Sequence, residues 1–487
     1  MNFKGLKVAI IGAGISGIGA ARLLLDLGSR ISLFDTKDFD QLSEKSKKFL
    51  EDNRDIRCIL GRLQVVEDFK DQDMVVISPA VPYNSKLISE IRACNIPVVG
   101  ELALACSMWK GDIVAVTGTN GKSTTTTLIS NILNKANISH VLAGNIGASL
   151  CDFIVDGRSK DIAVLEVSSF QLEAIDVRRG FYIRPKIGIW LNLAPDHIDR
   201  HPSLEEYGRI KKRLFEEQDE GDWAILNAND KYVFDLTRDI KSKRLYFDSS
   251  KSKGSKELYL IDDDHIAIDI PNHKKFVIDL SNWNLLGRHN IENLMAAASS
   301  SFILGANQDA INEAIREFMP LKHRITFVGE KNKVKFIDDS KATNVAATIT
   351  AINAVNGSNK KNIVLIAGGL GKGEDYSPLL DVIDKLKAIV LLGEERFKIA
   401  EVLKKSGKAL DILVLPEDLS KEESSLIDHS DYSRKIMELA VKKAFLLSKE
   451  KDIVLLSPCC ASFDLFTSYA ERGSVFKQAV DALICSN

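Results

Sequence analysis

The sequence predicts an α/β protein of three domains, and two observations lead to this prediction. First, its 487 residues exceed the usual length of one domain, roughly 100 to 200 residues. Second, short runs of β-branched and apolar residues alternate with helical patterns along the chain, which is typical of parallel strands joined by helices. A composition of 45% hydrophobic and 27% charged residues fits an ordinary globular protein rather than a fibre or a disordered tail.

Charge and cysteine usage argue against several classes of protein. Lysine and arginine number 65 against 67 acidic residues, so the chain has no global field that would attract a nucleic acid. The seven cysteines form no CxxC pair, so we expect no disulfide framework, no zinc ribbon and a reducing compartment. Neither a signal peptide nor an apolar run of membrane-spanning length is visible, so we expect a cytoplasmic protein without membrane insertion.

The first domain, residues 1–109, is predicted to be Rossmann-like. Its buried parallel strands are KVAII (7–11), RISLF (30–34) and MVVIS (74–78). The turn GAGISG (12–17) follows the first strand and Asp35 follows the second, which matches a dinucleotide fingerprint. Alone it would favour NAD, with Asp35 on a ribose hydroxyl. The same turn can bind another diphosphate, such as a UDP-sugar, or can be purely structural.

The central domain, residues 110–319, is predicted to bind a mononucleotide. Its phosphate loop lies between the strand-like IVAVT and a helical segment, and consists of Gly118, Thr119, Asn120, Gly121, Lys122, Ser123 and Thr124. Inward-facing amides and Lys122 can hold phosphate oxygens, and Ser123 can reach magnesium. Val116 stands where the common pattern has glycine. The alternative is a tight strand-to-helix turn, but GKS in this context favours phosphate binding.

Two polar clusters follow strands of the same domain. Glu166 follows the strand-like DIAVL (161–165), at a strand end where its carboxylate could hold magnesium beside the phosphate loop. His197 and His201 lie in the segment 192–202 after the apolar IGIWL. Their spacing resembles a zinc pair on a helix, but Pro195 and Pro202 argue against a helix and no HExxH motif is present. A hydrogen-bonding loop histidine stays an alternative for His197.

A lysine falls on the apolar face of the next predicted helix, residues 204–215. Lys211 would be buried at a cost unless it snorkels, pairs or is modified, and snorkelling is the default expectation. A desolvated, neutral lysine can react with carbon dioxide to give an anionic carbamate, a good magnesium ligand. Lys212 and Arg213 are expected on a solvated basic face. The lysine- and serine-rich stretch around residues 241–256 is expected to form exposed loops.

The third domain, residues 320–487, repeats the alternating pattern and is predicted to be a further α/β domain. Its strand candidates are VKFID (334–338), NIVLIAGG (362–369), AIVLLG (388–393) and DIVLLSP (452–458).

Further motifs are spread over nearly the whole chain: TGTNGKST (117–124), LEVSSFQL (165–172), NLAPDHIDRHP (192–202), Tyr207 with Lys211, GRHNIEN (287–293), His323 with Arg324, DDSKATN (338–344) and SPCCASFD (457–464). Together they resemble the motifs of the Mur ligase family, whose members use ATP to join an amino acid to a UDP-muramyl carboxylate. The resemblance implies an N-terminal Rossmann-like domain, a central P-loop domain and a C-terminal Rossmann-like domain, in this order.

The resemblance also implies the substrates. DDSKATN and SPCCASFD resemble the members that add D-glutamate. ATP contacts would then come from the phosphate loop and from Asn290, Arg324, Asp339 and Lys341. D-glutamate contacts would come from Thr343, Lys372, Ser462, Phe463 and Tyr469. The UDP-linked substrate would meet Ile15, Ser16, Asp35, Thr36 and Lys37, with Asn145 beside the sugar or a metal. Two magnesium ions would be held by Ser123, Glu166, His197 and carbamylated Lys211, and Lys122, His197 and Lys211 would be catalytic.

Three departures from the family pattern concern the pocket rather than the reaction. Tyr469 replaces a phenylalanine, Leu370 replaces an acidic residue and Ala80 replaces a glycine. Tyr469 would either hydrogen-bond the amino-acid carboxylate or pack. Other readings stay open: a Mur-type ligase for a different amino acid, a folylpolyglutamate-type ligase, an NAD-dependent oxidoreductase, and a nucleotide-dependent switch. A monomer is expected.

Overall fold

The computed structural model describes residues 2–250, 257–356, 360–416 and 429–486. The chain forms two compact units. The first comprises Met1–Leu193, Glu205–Asn282 and Glu292–Glu317, and the second comprises Ala194–Leu204, Trp283–Ile291 and Phe318–Asn487. The expected boundary after residue 109 lies inside the first unit, and the one after residue 319 lies near its end.

The secondary structure alternates between strands and helices along most of the chain. The strands are β1 Lys7–Ile11, β2 Arg30–Phe34, β3 Arg57–Ile59, β4 Met74–Ile77, β5 Val98–Gly100, β6 Ile113–Thr117, β7 His140–Gly144, β8 Ile162–Glu166, β9 Ile187–Trp190, β10 Trp223–Asn227, β11 Lys243–Asp248, β12 Leu258–Leu260, β13 His265–Ile268, β14 Phe276–Asp279, β15 Thr326–Lys331, β16 Val334–Asp338, β17 Ile363–Ala367, β18 Leu386–Leu391, β19 Asp411–Val414 and β20 Ile453–Leu456.

The helices connect these strands. They are α1 Ile15–Asp26, α2 Glu44–Asp52, α3 Lys86–Ala93, α4 Glu101–Met108, α5 Lys122–Lys135, α6 Leu150–Val155, α7 Ser169–Glu173, α8 Leu204–Lys212, α9 Lys231–Leu236, α10 Arg288–Ile303, α11 Gln308–Glu317, α12 Val345–Val355, α13 Arg396–Lys404, α14 His429–Leu447 and α15 Tyr469–Cys485. Short 3-10 segments lie at Phe39–Gln41, Val66–Phe69, Val177–Arg179, Arg213–Phe215 and Ser377–Lys385.

Two sheets form the first unit. Five parallel strands make the N-terminal sheet in the order β3-β2-β1-β4-β5. Nine strands make the second, β14-β13-β12-β11-β10-β9-β6-β8-β7, with antiparallel pairs at β12–β13 and β13–β14. β4 and β6 are buried at every residue, because helices cover both faces of such sheets and the strands must be apolar on both sides.

The position of β6 in its sheet decides which loops meet. It lies between β8 and β9, parallel to both. The carboxyl ends of parallel neighbours share one edge of a sheet. The phosphate loop after β6, Glu166 at the end of β8 and Asn192 just after β9 therefore lie at the same edge.

The second unit is built on a six-stranded sheet in the order β15-β16-β20-β17-β18-β19, in which the β15–β16 pair is antiparallel. Apolar clusters cover both faces of this sheet. β16, β20 and β17 are parallel neighbours, so DDSKATN, SPCCASFD and the GGLGK segment (368–372) leave the sheet at one edge. Three motifs that are far apart in sequence become adjacent in this way.

Most strand predictions are confirmed to within two residues, and one loop prediction is wrong. Residues 243–248 within the expected loop 241–256 form β11, which pairs with β10 and buries Leu245 and Phe247. The strand was missed because lysines and serines surround its short apolar part, Leu245 to Phe247. Residues 251–256 of the same stretch lie outside the described residues. Among the described helices, each falls short of the length and apolarity needed to cross a membrane.

Candidate active site

The phosphate loop has the geometry that its glycines predict. Gly118 and Gly121 adopt φ angles of +146° and +89°, which other residues rarely adopt. A Cβ at Gly121 would lie 2.4 Å from Asn293 Oδ1, so a larger residue would force Asn293 to move. α5 begins at Lys122 without a side-chain cap, and the N-terminus of a helix favours an anion. Lys122 Nζ donates to the carbonyls of Gly118 (2.8 Å) and Thr119 (2.9 Å).

Asn192, which sequence analysis did not single out, holds this loop in shape. Its Oδ1 accepts from the Asn120 amide (2.8 Å) and its Nδ2 donates to the Asn120 carbonyl (3.1 Å). Its own carbonyl accepts from the Thr119 amide (3.0 Å). The available signal was an asparagine two residues after the buried strand β9.

Two oxygen donors lie at this edge of the sheet. Glu166 is the last residue of β8 and is only 4% exposed, and Ser123 is buried in the first turn of α5. Asn145 Nδ2 donates to Glu166 Oε1 (2.9 Å), so Asn145 positions the carboxylate. A hydroxyl and a carboxylate are ligands that magnesium prefers, and this donor set fits such an ion.

Lys211 is buried rather than snorkelling, so the default expectation is wrong. Its side chain is among the largest that are fully buried. Nζ donates to the Gly118 carbonyl (3.0 Å) and lies 4.4 Å from the centre of the Tyr207 ring. The amine therefore points at the phosphate loop. Tyr207, Leu214 and Phe215 are buried with Lys211, so this face of α8 and of the following turn lies against the core.

The prediction that Lys212 and Arg213 lie on a solvated basic face is confirmed for the lysine and wrong for the arginine. Lys212 pairs with exposed Asp239 at 2.7 Å. The Arg213 guanidinium instead donates to main-chain carbonyls at the end of α7, those of Leu172 (2.7 Å) and Glu173 (2.8 Å). Burial lowers the pKa of Arg213 below its usual value. A helix C-terminus attracts a cation, and this tertiary contact is invisible in the sequence.

The N-terminal glycine turn is tightly constrained. A Cβ on Gly17 would lie 1.7 Å from the Gly12 carbonyl oxygen, which no side chain allows. Asp35 accepts from the amides of Ala13 (2.7 Å) and Lys37 (2.9 Å), so its carboxylate shapes the turn.

The other residues expected to meet the UDP-linked substrate lie around this turn. Ile15 is 65% exposed, and Thr36 and Lys37 are exposed. The Ser16 side chain is near enough to lower the pKa of Glu101. Glu101 is fully buried, and burial raises its pKa, while Ser149 and Ser16 oppose the shift. Glu101 was not anticipated, and it connects the glycine turn to the start of α6.

In the second unit, an ion pair lies where an amino-acid site is expected. Lys372 Nζ lies 2.8 Å from Asp196 Oδ1 and 3.2 Å from the Thr343 carbonyl, and the two side chains are 14% and 7% exposed. Burial alone would raise the pKa of Asp196, but Lys372 and His197 hold it below its usual value. His197 lies beside this pair and has a φ of +54°, a backbone conformation that is uncommon for residues other than glycine.

The residues expected to contact ATP in this unit surround the DDSKATN segment. Burial raises the pKa of Asp339 to about 7, against the Ser457 hydroxyl and Arg324. Asp339 Oδ2 accepts from Ser457 Oγ (3.0 Å). Lys341 Nζ lies 3.6 Å from the centre of the Tyr469 ring, so this tyrosine packs against a lysine. Asn290 donates to the Leu286 carbonyl at 2.7 Å.

Arg472 joins the two C-terminal motifs and was missed by sequence analysis. It is 1% exposed and donates to Ser340 Oγ (3.0 Å), the Ser340 carbonyl (2.9 Å) and the Cys460 carbonyl (3.2 Å). Burial lowers its pKa to about 10. Ser462 is buried, and Phe463 is 70% exposed. Leu370 exchanges two main-chain hydrogen bonds of 3.0 Å with Ala461, so its departure from the family pattern leaves the backbone of the loop in place.

Three family models match separate parts of the chain. The Mur ligase MurD-like N-terminal domain matches residues 6–100, the Mur ligase middle domain matches residues 116–301, and the Mur ligase, glutamate ligase domain matches residues 323–460. They occur in the order that the sequence motifs imply.

Curated relatives match along the full length. The UDP-N-acetylmuramoylalanine--D-glutamate ligase of Thermoanaerobacter sp. (strain X514) is 36% identical over 484 residues, covering 99% of this chain and 100% of the relative. The ligase of the same name from Caldicellulosiruptor saccharolyticus is 37% identical over 485 residues, again covering 99% and 100%.

Solved structures share the fold. A pseudomurein peptide ligase type C from Methanothermus fervidus has a TM-score of 0.57 at 18% identity, covering 98% of this chain and 100% of that one. The MurF ligase from Thermotoga maritima in complex with ADP has a TM-score of 0.56 at 17% identity, covering 99% and 96%. The predicted three-domain α/β class is confirmed. Because the family models span most of the chain and the relatives nearly all of it, this protein belongs to the Mur ligase family.

Proposed function

We propose that this Mur ligase adds D-glutamate to UDP-N-acetylmuramoyl-L-alanine in an ATP-dependent reaction of peptidoglycan synthesis. The observation that carries the proposal is the full-length match, at 36% and 37% identity, to ligases named for D-glutamate. The DDSKATN and SPCCASFD segments support it, since they lie side by side at one edge of the C-terminal sheet. We place the enzyme in the cytoplasm, where ATP and UDP-linked substrates are made, and expect a monomer.

The phosphate loop would bind ATP. The N-terminus of α5 and the Lys122 ammonium supply positive charge for phosphate oxygens, which is the main requirement of phosphoryl transfer. A carboxylate is a poor acyl donor, so the muramyl carboxylate would attack the γ-phosphate and form an acyl phosphate. The amine of D-glutamate would then displace phosphate. Lys122 would neutralise the charge of the transferred group.

Two magnesium ions are proposed, and these ions would supply charge neutralisation at the phosphates. The proposed ligands are Ser123, Glu166, His197 and Lys211 as a carbamate. Lys211 suits this role because its amine is withdrawn from solvent and faces the phosphate loop. An unmodified ammonium there would repel a cation. Within the described residues, no three His, Cys, Asp or Glu side chains cluster as a preformed metal site, which is why a modified lysine matters to this proposal.

Lys372 would bind a carboxylate of D-glutamate, together with Thr343, Ser462, Phe463 and Tyr469. Its ammonium is already oriented by Asp196 and the Thr343 carbonyl, and a preorganised cation loses less entropy on binding. Asn290, Arg324, Asp339 and Lys341 would contact ATP. Ile15, Ser16, Asp35, Thr36, Lys37 and Asn145 would bind the UDP-linked substrate. We propose domain limits of 1–109, 110–319 and 320–487.

The test is phosphate release from ATP with UDP-N-acetylmuramoyl-L-alanine and one of D-glutamate, L-glutamate, meso-diaminopimelate or no amino acid. Release that depends on D-glutamate alone is expected. Release with another amino acid would keep the ligase class and overturn the substrate. No release under any condition would refute the proposal and return NAD binding and a nucleotide switch to consideration.

A matched pair of variants tests the role of Lys211. The Lys211→Ala variant should lose about 100- to 1000-fold in rate, the usual cost of removing one group that stabilises transition-state charge, because it would lack a proposed metal ligand. Lys212→Ala, one residue away on the same helix, should retain wild-type activity since Lys212 pairs only with exposed Asp239 in the described contacts. Activity should also rise on adding bicarbonate to carbon-dioxide-depleted enzyme. An active Lys211→Ala enzyme would contradict the carbamate.

A further inference from the structure

A cleft of about 650 Å³ in the first unit lies away from the proposed active site. One wall is formed by residues 95–98, which enter β5 at its amino end. The glycine turn lies at the carboxyl end of β1, a parallel strand of the same sheet. The opposite wall is formed by residues 175–179, which follow α7. The cleft therefore opens at the other end of the N-terminal sheet from the glycine turn.

Four arginines line this cleft, which we call the arginine cleft: Arg92, Arg178, Arg179 and Arg213. Among the described residues that line the cleft, Asp176 alone is acidic. Arg179 pairs with Asp176 at 2.7 Å. In the part of the chain that the structure describes, Arg92, Arg178 and Arg213 have no carboxylate within ion-pair distance. Like charges in one cavity raise the local positive potential, and a site of this composition attracts anions.

Two of these guanidinium groups are held in place. Arg92 lies 4.7 Å above the centre of the Tyr83 ring. Arg213 is fixed by its bonds to the carbonyls of Leu172 and Glu173, at 2.7 and 2.8 Å. Glu173 and Glu216 are near enough to raise the pKa of Arg213, although burial outweighs them. Preorganised cations bind an anion with less loss of side-chain entropy than mobile surface arginines do.

The loop that carries Arg178 is also ordered. Asp176 caps a 3-10 turn, and its side chain accepts from the Arg179 amide at 3.3 Å. Asp176 also exchanges main-chain hydrogen bonds with Phe181. Arg178 is thus an exposed cation on a defined turn. No residue that the structure describes hydrogen-bonds to its guanidinium, so its donors can face a ligand.

We propose that the arginine cleft binds a small phosphorylated molecule that carries two adjacent phosphate groups. Arginine forks match phosphate oxygens, and several forks around one cavity match a diphosphate better than a single carboxylate. The volume lies in the range of small-molecule sites, about 300 to 1000 Å³. Ile96, Pro97 and Val177 line the same cleft and provide an apolar wall for an organic group. The site is independent of the proposed reaction.

The test uses inorganic pyrophosphate as the probe and the full chain. Phenylglyoxal modifies accessible arginines, and mass spectrometry measures the rate at each one. Pyrophosphate at millimolar concentration should slow the modification of Arg178 at least about 5-fold, while Arg54, an exposed arginine near the first sheet, should react at an unchanged rate. Equal rates at Arg178 with and without pyrophosphate would overturn the proposal.

A second measurement separates this cleft from the other places where pyrophosphate could bind, the phosphate loop and the glycine turn. Calorimetric titration of R92Q/R178Q should show one binding site fewer than wild type, whereas R30Q/R54Q, which removes the same charge from exposed positions, should match wild type. An unchanged number of sites in R92Q/R178Q would refute the arginine cleft. Protection by orthophosphate as strong as by pyrophosphate would refute the diphosphate requirement.

Discussion

Variants of the ion pair between Lys372 and Asp196 can distinguish its effect on folding stability from its proposed role in binding D-glutamate. Both side chains are largely buried, at 14% and 7% exposure, and their charged atoms are 2.8 Å apart. The Lys372→Met variant would leave Asp196 ionised without its counter-charge, a change that costs roughly 3 to 5 kcal/mol for buried pairs. Asn344 Nδ2 still donates to Asp196 at 3.1 Å, so we expect the lower limit, about 3 kcal/mol.

Three further variants serve as comparisons for the loss of stability expected in K372M. Asp196→Asn should cost less, about 1 to 2 kcal/mol, because Lys372 is the more exposed partner and keeps both the Thr343 carbonyl and the nearby Glu374 carboxylate. The double variant K372M/D196N should resemble this smaller loss, since no charge remains unpaired. Lys408→Met removes an exposed pair with Asp384, with side chains 47% and 78% exposed, and should change stability by less than about 1 kcal/mol.

The assay is urea unfolding followed by hydrogen exchange in peptides of the second unit, because two units need not unfold together. With a slope of about 2 kcal/mol per molar, K372M should lower the midpoint by roughly 1.5 M. KM for D-glutamate should rise about 10- to 150-fold in both K372M and the double variant, which corresponds to a lost charge-assisted hydrogen bond of about 1.5 to 3 kcal/mol. A double variant with wild-type KM would refute the binding role, and a K372M enzyme as stable as wild type would refute the electrostatic argument.

Three further predictions concern other parts of the molecule. Asn192→Ala removes two hydrogen bonds to the phosphate loop and should raise KM for ATP about 10- to 30-fold; an unchanged KM would contradict the role of Asn192. Because the folded-state pKa of Asp339 is raised to about 7, the second unit should lose stability as pH rises from about 4 to 7. In D339N the urea midpoint should change less with pH over this range than it does in wild type. An equal pH dependence in the two proteins would count against the raised pKa of Asp339. Gly17→Ala should lower the thermal midpoint, because its Cβ would meet the Gly12 carbonyl, whereas Gly14→Ala meets nothing within 4 Å and should not.

The sequence predicted those parts of the site that are formed by a single continuous segment of the chain. The phosphate loop needs glycine at positive φ and a lysine at the start of a helix, and both requirements are visible in GTNGKST. The Asp35 turn follows equally from a strand and its next residues. Asn192 and Arg472 were missed because each acts on a loop that is remote in sequence, and neither residue type alone indicates such a contact. The snorkelling expected for Lys211 failed for a similar reason, since the core around it is assembled from distant segments.

The sequence by itself determined the α/β class, the order of the domains, the position of most strands and the family, because periodicity and short motifs are local properties. Only the tertiary structure decided which motifs lie side by side, namely the loops after β6, β8 and β9, and those after β16, β17 and β20. It also decided that Lys211 faces Gly118, that Arg213 caps α7, and that four arginines share one cleft. Strand order and burial depend on contacts between residues far apart in the chain, and no window of sequence contains them.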